Sequence, residues 1–133
     1  MTDEFAVGDS YEHTVEDVDR VDFVKYAGAS GDFNRIHYDD PYARQAGYDS
    51  VFGQGMLTAG VASRTVRQAL GLQHLREFRT RFTAKVRPGD DLATTVEVTA
   101  VEEGDEGTRV EAAVTVVNQH GEEVVTGTAV AVI

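Results

Sequence analysis

An acid, an amide and an imidazole fall within six residues in Asp32-Phe33-Asn34-Arg35-Ile36-His37. The run before them, Tyr26-Ala27-Gly28-Ala29-Ser30-Gly31, contains two glycines and breaks regular helix. A carboxyl and an imidazole brought together on a short irregular segment can share the giving and taking of a proton. The competing account is a polar loop in which Asp32 and Asn34 cap turns and His37 is exposed. Phe33 and Ile36 favour a segment anchored inward. Further on, Gly55 opens a helix whose first N–H groups lack partners, a natural place for a developing oxyanion.

Other patterns carry no chemistry. Gly53-Gln54-Gly55 begins like a dinucleotide fingerprint, but the third glycine is misplaced and no βαβ unit surrounds it. Gly28-Ala29-Ser30-Gly31 misses a nucleophile elbow, because Asp32 stands where the last glycine belongs. The histidines, at 13, 37, 74 and 120, form no close pair, so no metal site is expected. The chain has no cysteine, which removes disulfides, thiolate ligands and a thiol nucleophile.

The elements that must position these residues follow from periodicity. Phe5 to His13 suits a short strand. Thr14 with Asp17 resembles a helix N-cap pair, and Val18, Val21, Val24 and Gly28, flanked by Phe23 and Ala27, predict a helix to about Ala27. Asp40-Pro41 predicts a second, two-turn helix ended by Gly47. A third is expected from Gly55 to Leu70. Its first turns, Met56 to Ser63, carry no charge, which predicts burial on every side. Strands are expected over Leu75–Val86, 92–102, 108–118 and Val124–Ile133, separated by turns at Pro88-Gly89-Asp90, Gly104–Gly107 and Asn118–Gly121. Consecutive strands with short loops pair antiparallel, so the expected class is α+β: a curled antiparallel sheet around one buried helix.

The chain has 133 residues, which predicts one domain over 1–133 with about two-thirds of its unfolded surface buried. The acidic start Met1-Thr2-Asp3-Glu4 is the reverse of a basic signal peptide, and no long apolar run occurs, so a cytoplasmic protein is expected. Twelve Lys and Arg against 23 Asp and Glu leave a formal charge of −11, which argues against nucleic acid or an anionic membrane as partner. The 41% hydrophobic content and two prolines argue against disorder.

The run Tyr26 to His37, with Tyr42-Ala43 and Gly55-Met56-Leu57, resembles the signature of the MaoC-type (R)-specific enoyl-CoA hydratases and related (3R)-hydroxyacyl-thioester dehydratases. The resemblance spans nearly the whole chain. It implies the hot-dog fold, usually as a dimer, and no cofactor, coenzyme A thioester being the substrate. It places the catalytic acid and imidazole on Asp32 and His37, which hold the water that adds across the C2–C3 double bond. The oxyanion donor is the Gly55 N–H, and such a donor can be worth roughly 3 to 4 kcal/mol in the transition state. Asn34 shapes the loop, and Ser63 matches a small hydroxyl residue near the acid. Two positions depart from the pattern: Arg35 replaces a common proline, and Gln54 stands where histidine often precedes Gly-Met.

The expected reaction is reversible hydration of a trans-2-enoyl-CoA to the (3R)-3-hydroxyacyl-CoA. Alternatives are a (3R)-hydroxyacyl dehydratase subunit acting on an acyl carrier protein, a hot-dog thioesterase, and a non-catalytic acyl-binding partner. Arg79, Arg81, Lys85 and Arg87 form a local basic strip suited to the phosphates of coenzyme A or a carrier, though an ordinary solvated strand face would look alike. The cations comprise ten Arg and only Lys25 and Lys85, an acidic, lysine-poor balance resembling proteins of salt-loving organisms. If salt screens this self-repulsion, the melting temperature of a low-salt sample rises as salt is added; a flat salt series in scanning calorimetry removes the idea.

Overall fold

In the computed structural model, which describes residues 5–133, a five-stranded antiparallel sheet has the order β1-β3-β4-β5-β2. The acidic start Met1–Glu4, from which a cytoplasmic protein was expected, lies outside the described residues. The strands are β1 (Ser10–Val18), β2 (Leu75–Phe82), β3 (Asp90–Gly104), β4 (Gly107–Val117) and β5 (Glu123–Val132). The helices are α1 (Arg20–Ser30), α2 (Asp40–Gln45) and α3 (Gly55–Leu70). Helix α3 packs against all five strands. Its buried face of Ala62, Val66 and Leu70 joins Leu92, Val96, Val98, Val110, Val114 and Val125 from the sheet. Period-two alternation buries every second residue of β3 as far as Val98 and of β4 from Val110 to Val116.

Four local expectations are corrected. The helix expected from Thr14 starts at Arg20, because Tyr11, His13 and Val15 alternate and pair with Val96, Thr94 and Leu92 of β3. Pairing with a neighbouring strand outweighs the Thr14–Asp17 signal, and Asp17 takes a positive φ of 53° at the bulge. The working box is Asp19 with Asp22: Asp22 Oδ2 accepts from the Asp19 N–H at 3.0 Å. Along α1 it is Phe23 and Ala27 that are buried, while Val21 and Val24 face outward. In the second helix the cap is Asp39, one residue before the expected Asp40, and accepts from the Tyr42 N–H.

The first turns of α3 are not buried all round. Met56 is 62% exposed and Gly60 is open as well, so the uncharged stretch includes a bare outer side. Strand β2 stops at Phe82, short of Val86. Thr83 N–H still reaches the Val124 carbonyl, but the Val86 carbonyl then accepts from Gly53 N–H at 2.8 Å. The chain thus peels off the sheet and closes over the loop before α3.

The curl of the sheet depends on Gly127, which pairs with Thr80. A Cβ there would run into the backbone carbonyl oxygen of Arg79. Backbone has no rotamer by which to yield, so any side chain must push β2 away from β5. Gly127→Ala is therefore expected to destabilise the fold by about 3 kcal/mol, read as a lower urea midpoint with an unchanged slope; an unaltered midpoint contradicts the close approach.

Candidate active site

The segment from Ser30 to Asp40 is built from nested caps. Gly31 ends α1 in the left-handed conformation, with φ of 78°, a region that favours glycine. Ser30 Oγ donates to the Tyr26 carbonyl at 2.7 Å and accepts from Asp32 N–H at 3.1 Å. Asp32 Oδ1 accepts from Asn34 N–H, and Asn34 Oδ1 accepts from Ile36 N–H at 3.2 Å, starting a 3-10 turn over Arg35–His37. The turn-capping account of Asp32 and Asn34 is thus correct for one oxygen of each. The inward anchor is His37, not Phe33, whose ring is 61% exposed.

His37 is buried, and its Nδ1 lies 2.7 Å from the Phe52 carbonyl oxygen. A carbonyl can only accept, so Nδ1 carries the proton and Nε2 of the neutral ring presents a lone pair. Nε2 faces Asp32 Oδ2 at 3.8 Å. That gap exceeds a hydrogen bond and leaves room for one water touching both groups. The Asp32 side chain is 46% exposed, so the pair opens to the surface on the aspartate side.

Phe52 connects the pair to a groove of about 360 Å³ lined by Phe52, Gly53, Gly55, Phe82, Thr83, Ala84 and Lys85. Gly55 is the first residue of α3, whose N-cap Gln54 makes no capping bond. The Gln54 side chain is turned elsewhere: Nε2 donates to the Phe23 carbonyl at 2.8 Å and ties α1 to the start of α3, while the buried Oε1 has no partner. With α1 and α2 both capped by aspartates and α3 bare, the free N–H groups of the central helix are the ones beside the groove. The Phe82 ring covers Gly55 so closely that a Cβ would sit 3.0 Å from it.

Other expected residues separate. Ser63 Oγ donates to the Gly60 carbonyl of its own helix at 2.7 Å. Arg35 is held away from the imidazole by Asp39, at 2.7 Å, and by the Tyr42 ring, 4.6 Å below its guanidinium. These two contacts restrain the loop where a proline would have fixed φ. The basic strip is divided. Lys85 and Arg87 line a cavity of about 110 Å³ with residues 47–52. Arg79 and Arg81 lie on β2 facing Thr128 and Thr126 of β5, and Arg79 pairs with Glu77 at 2.9 Å. The cause is the early end of β2.

Comparison with known proteins finds a family profile, solved structures and curated proteins that the chain resembles. The sequence profile described as MaoC like domain matches residues 4–120. The chain is 32% identical, with a TM-score of 0.82, to the unliganded R-hydratase PhaJ1 from Pseudomonas aeruginosa, over 95% of this chain and 80% of that one. It is 28% identical, with a TM-score of 0.84 and 95% of each chain covered, to an (R)-hydratase from A. caviae involved in PHA biosynthesis. The hot-dog fold is thereby shared. Among curated proteins it is 31% identical over 113 residues to fatty acid synthase 2 of Mycosarcoma maydis, covering 78% of this chain and 3% of that protein's length.

Asp40, which the Asp40-Pro41 pair marked only as a helix start, straps the loop that carries Phe52. Its Oδ1 accepts from Val51 N–H at 3.0 Å, and its carboxylate pairs with Arg20 at 3.1 Å. The Val51 N–H first, and the Arg20 and Arg44 charges after it, hold the Asp40 carboxyl below its ordinary value of 3.8. A depressed carboxyl stabilises the fold above the unfolded value and loses that contribution as pH falls through the folded one. Asp40→Asn is therefore expected to melt below wild type at neutral pH. The gap should close as the pH drops past 3.8; a gap of constant size in melting curves across that range contradicts the assignment.

Proposed function

The chain belongs to the MaoC-like domain family of hydratases and dehydratases, and on that premise we propose that it adds water to a trans-2-enoyl-CoA, giving the (3R)-3-hydroxyacyl-CoA, and catalyses the reverse dehydration. The observation that carries the reading is the buried His37 whose bare Nε2 faces Asp32 across 3.8 Å, one residue contact away from the groove at Gly55. The likeness to two R-hydratases over 95% of the chain supports the handedness.

In this reading water lies between the two side chains, accepted by Asp32 through one hydrogen and by Nε2 through the other. Its oxygen bonds to C3 as His37 takes the proton, and the electron pair of the double bond moves through C2 onto the thioester oxygen. The Gly55 N–H, unspent by any cap, meets that negative charge in a site partly closed by the Phe82 ring. The imidazolium then delivers its proton to C2. The net change is OH on C3 and H on C2, with His37 neutral again.

Lys85, which lines both the groove and the smaller cavity beside residues 47–52, and Arg87, which lines that cavity, suit the phosphates of a coenzyme A or carrier-protein handle. Arg79 and Arg81 of β2 do not line that groove, and Arg79 is paired with Glu77. We take the active form as a homodimer: Asp32, Phe33 and Met56 lie exposed on one chain, and a second copy would shield them.

Crotonyl-CoA hydration, followed by loss of enoyl-thioester absorbance with chiral analysis of the product, tests the proposal. Wild type, sedimenting as two chains, is expected to form (R)-3-hydroxybutyryl-CoA, and Asp32→Asn and His37→Gln each to lose at least about a hundredfold in kcat. Release of free CoA would replace the reading with thioester hydrolysis, and inertness toward short and long enoyl chains alike would reject it.

A further inference from the structure

Phe52 meets His37 twice. Its carbonyl oxygen accepts the Nδ1 hydrogen bond, and its ring stands edge-on to the imidazole, with centroids 5.2 Å apart and planes at 78°. The two contacts do different things. The hydrogen bond decides which nitrogen carries the proton but lets the ring rock about the N–H···O line. The aromatic edge opposes that rocking and so decides where Nε2 points.

The Phe52 ring is itself half-buried and needs support. Tyr48 supplies it, four residues earlier, with ring centroids 4.8 Å apart and planes tilted by 56°. Lys85 Nζ lies 5.4 Å from the Tyr48 centroid and 5.8 Å from that of Phe52, within reach of both ring faces. The backbone beneath is strapped at three points. Tyr48 N–H donates to the Ala43 carbonyl at 3.0 Å, Val51 N–H to Asp40 at 3.0 Å, and Gly53 N–H to the Val86 carbonyl at 2.8 Å. The last strap fixes the residue next to Lys85, so the cation and the rings are held in one register.

We infer that Tyr48 and Lys85 are positioning residues that brace the Phe52 ring and through it hold the His37 imidazole in its working orientation. This rests on the reading of His37 as the proton acceptor. It gives Lys85 a role independent of any phosphate, and it gives the loop over residues 47–54 a part in the chemical step as well as in binding.

The test uses a substrate without phosphates, the crotonyl thioester of N-acetylcysteamine. On it, Tyr48→Leu and Lys85→Met are expected to lower kcat roughly three- to tenfold with KM little changed, and Tyr48→Phe and Lys85→Arg to restore it. The 15N spectrum of the His37 ring is the second readout. Wild type should show one tautomer with Nδ1 protonated and sharp ring signals, and the Leu and Met variants the same tautomer with ring signals broadened by the freed rocking. Unchanged kcat and an unchanged ring spectrum in both variants overturn the brace. So does a KM rise confined to the coenzyme A thioester with the spectrum unaltered, which would leave Lys85 a phosphate contact alone. If wild type turns over neither thioester, the proposed function fails, and the imidazole spectra alone decide the brace.

Discussion

One hydrogen bond organises the site: Nδ1–H of His37 to the carbonyl of Phe52, 2.7 Å, inside the protein. It joins two segments fifteen residues apart, and it makes a tautomeric choice that no side-chain identity could make. Everything around it can be read as a condition for that bond. The caps from Ser30 to Asn34 set the height of the 3-10 turn that carries His37. Asp40 and the Val86 carbonyl set the path of the loop that carries Phe52. The wall of the groove and the orientation of the imidazole then come from one residue.

A second arrangement works at the scale of the whole domain. The sheet curls around α3 because β2 and β5 approach closely at Gly127, and the curl leaves only the N-terminal turn of α3 near a groove. The two surface helices have their first N–H groups satisfied by aspartates, whereas the central helix begins at Gly55 with none. Donor capacity is therefore left unspent at the place where a ligand oxygen would need it. Gly55 serves the same end sterically, since it lets the Phe82 ring lie flat across the mouth.

The strands of the second half were legible because alternation is a local signal that survives without tertiary knowledge, and the span of α3 was legible from its own period. Residues Thr14 to Asp19 misled because two signals overlap there, a cap spacing and a period-two alternation, and the partner strand that decides between them lies more than seventy residues away. The end of β2 was hidden for a similar reason: the alternation of Arg and Lys continues past Phe82, but Gly53 draws the backbone off the sheet. Within the site, Asp32 and His37 could be singled out by type and spacing. Tyr48, Phe52 and Asp40 could not, because a backbone carbonyl acceptor and a ring edge leave no compositional mark. Two aromatics four residues apart in a segment with no helical period were the one available hint.

The scarcity of lysine has a practical side. Besides the α-amino group, the chain offers two amines to acylating reagents, and one of them, Lys85, stands at the mouth of the groove against Tyr48 and Phe52. Coupling chemistry that scatters labels harmlessly over a lysine-rich protein would here concentrate at the entrance. A dye or resin attached through amines would plug the opening or turn it toward the support. Carboxyl-directed coupling, spread over 23 acidic side chains, would leave most molecules with the entrance clear.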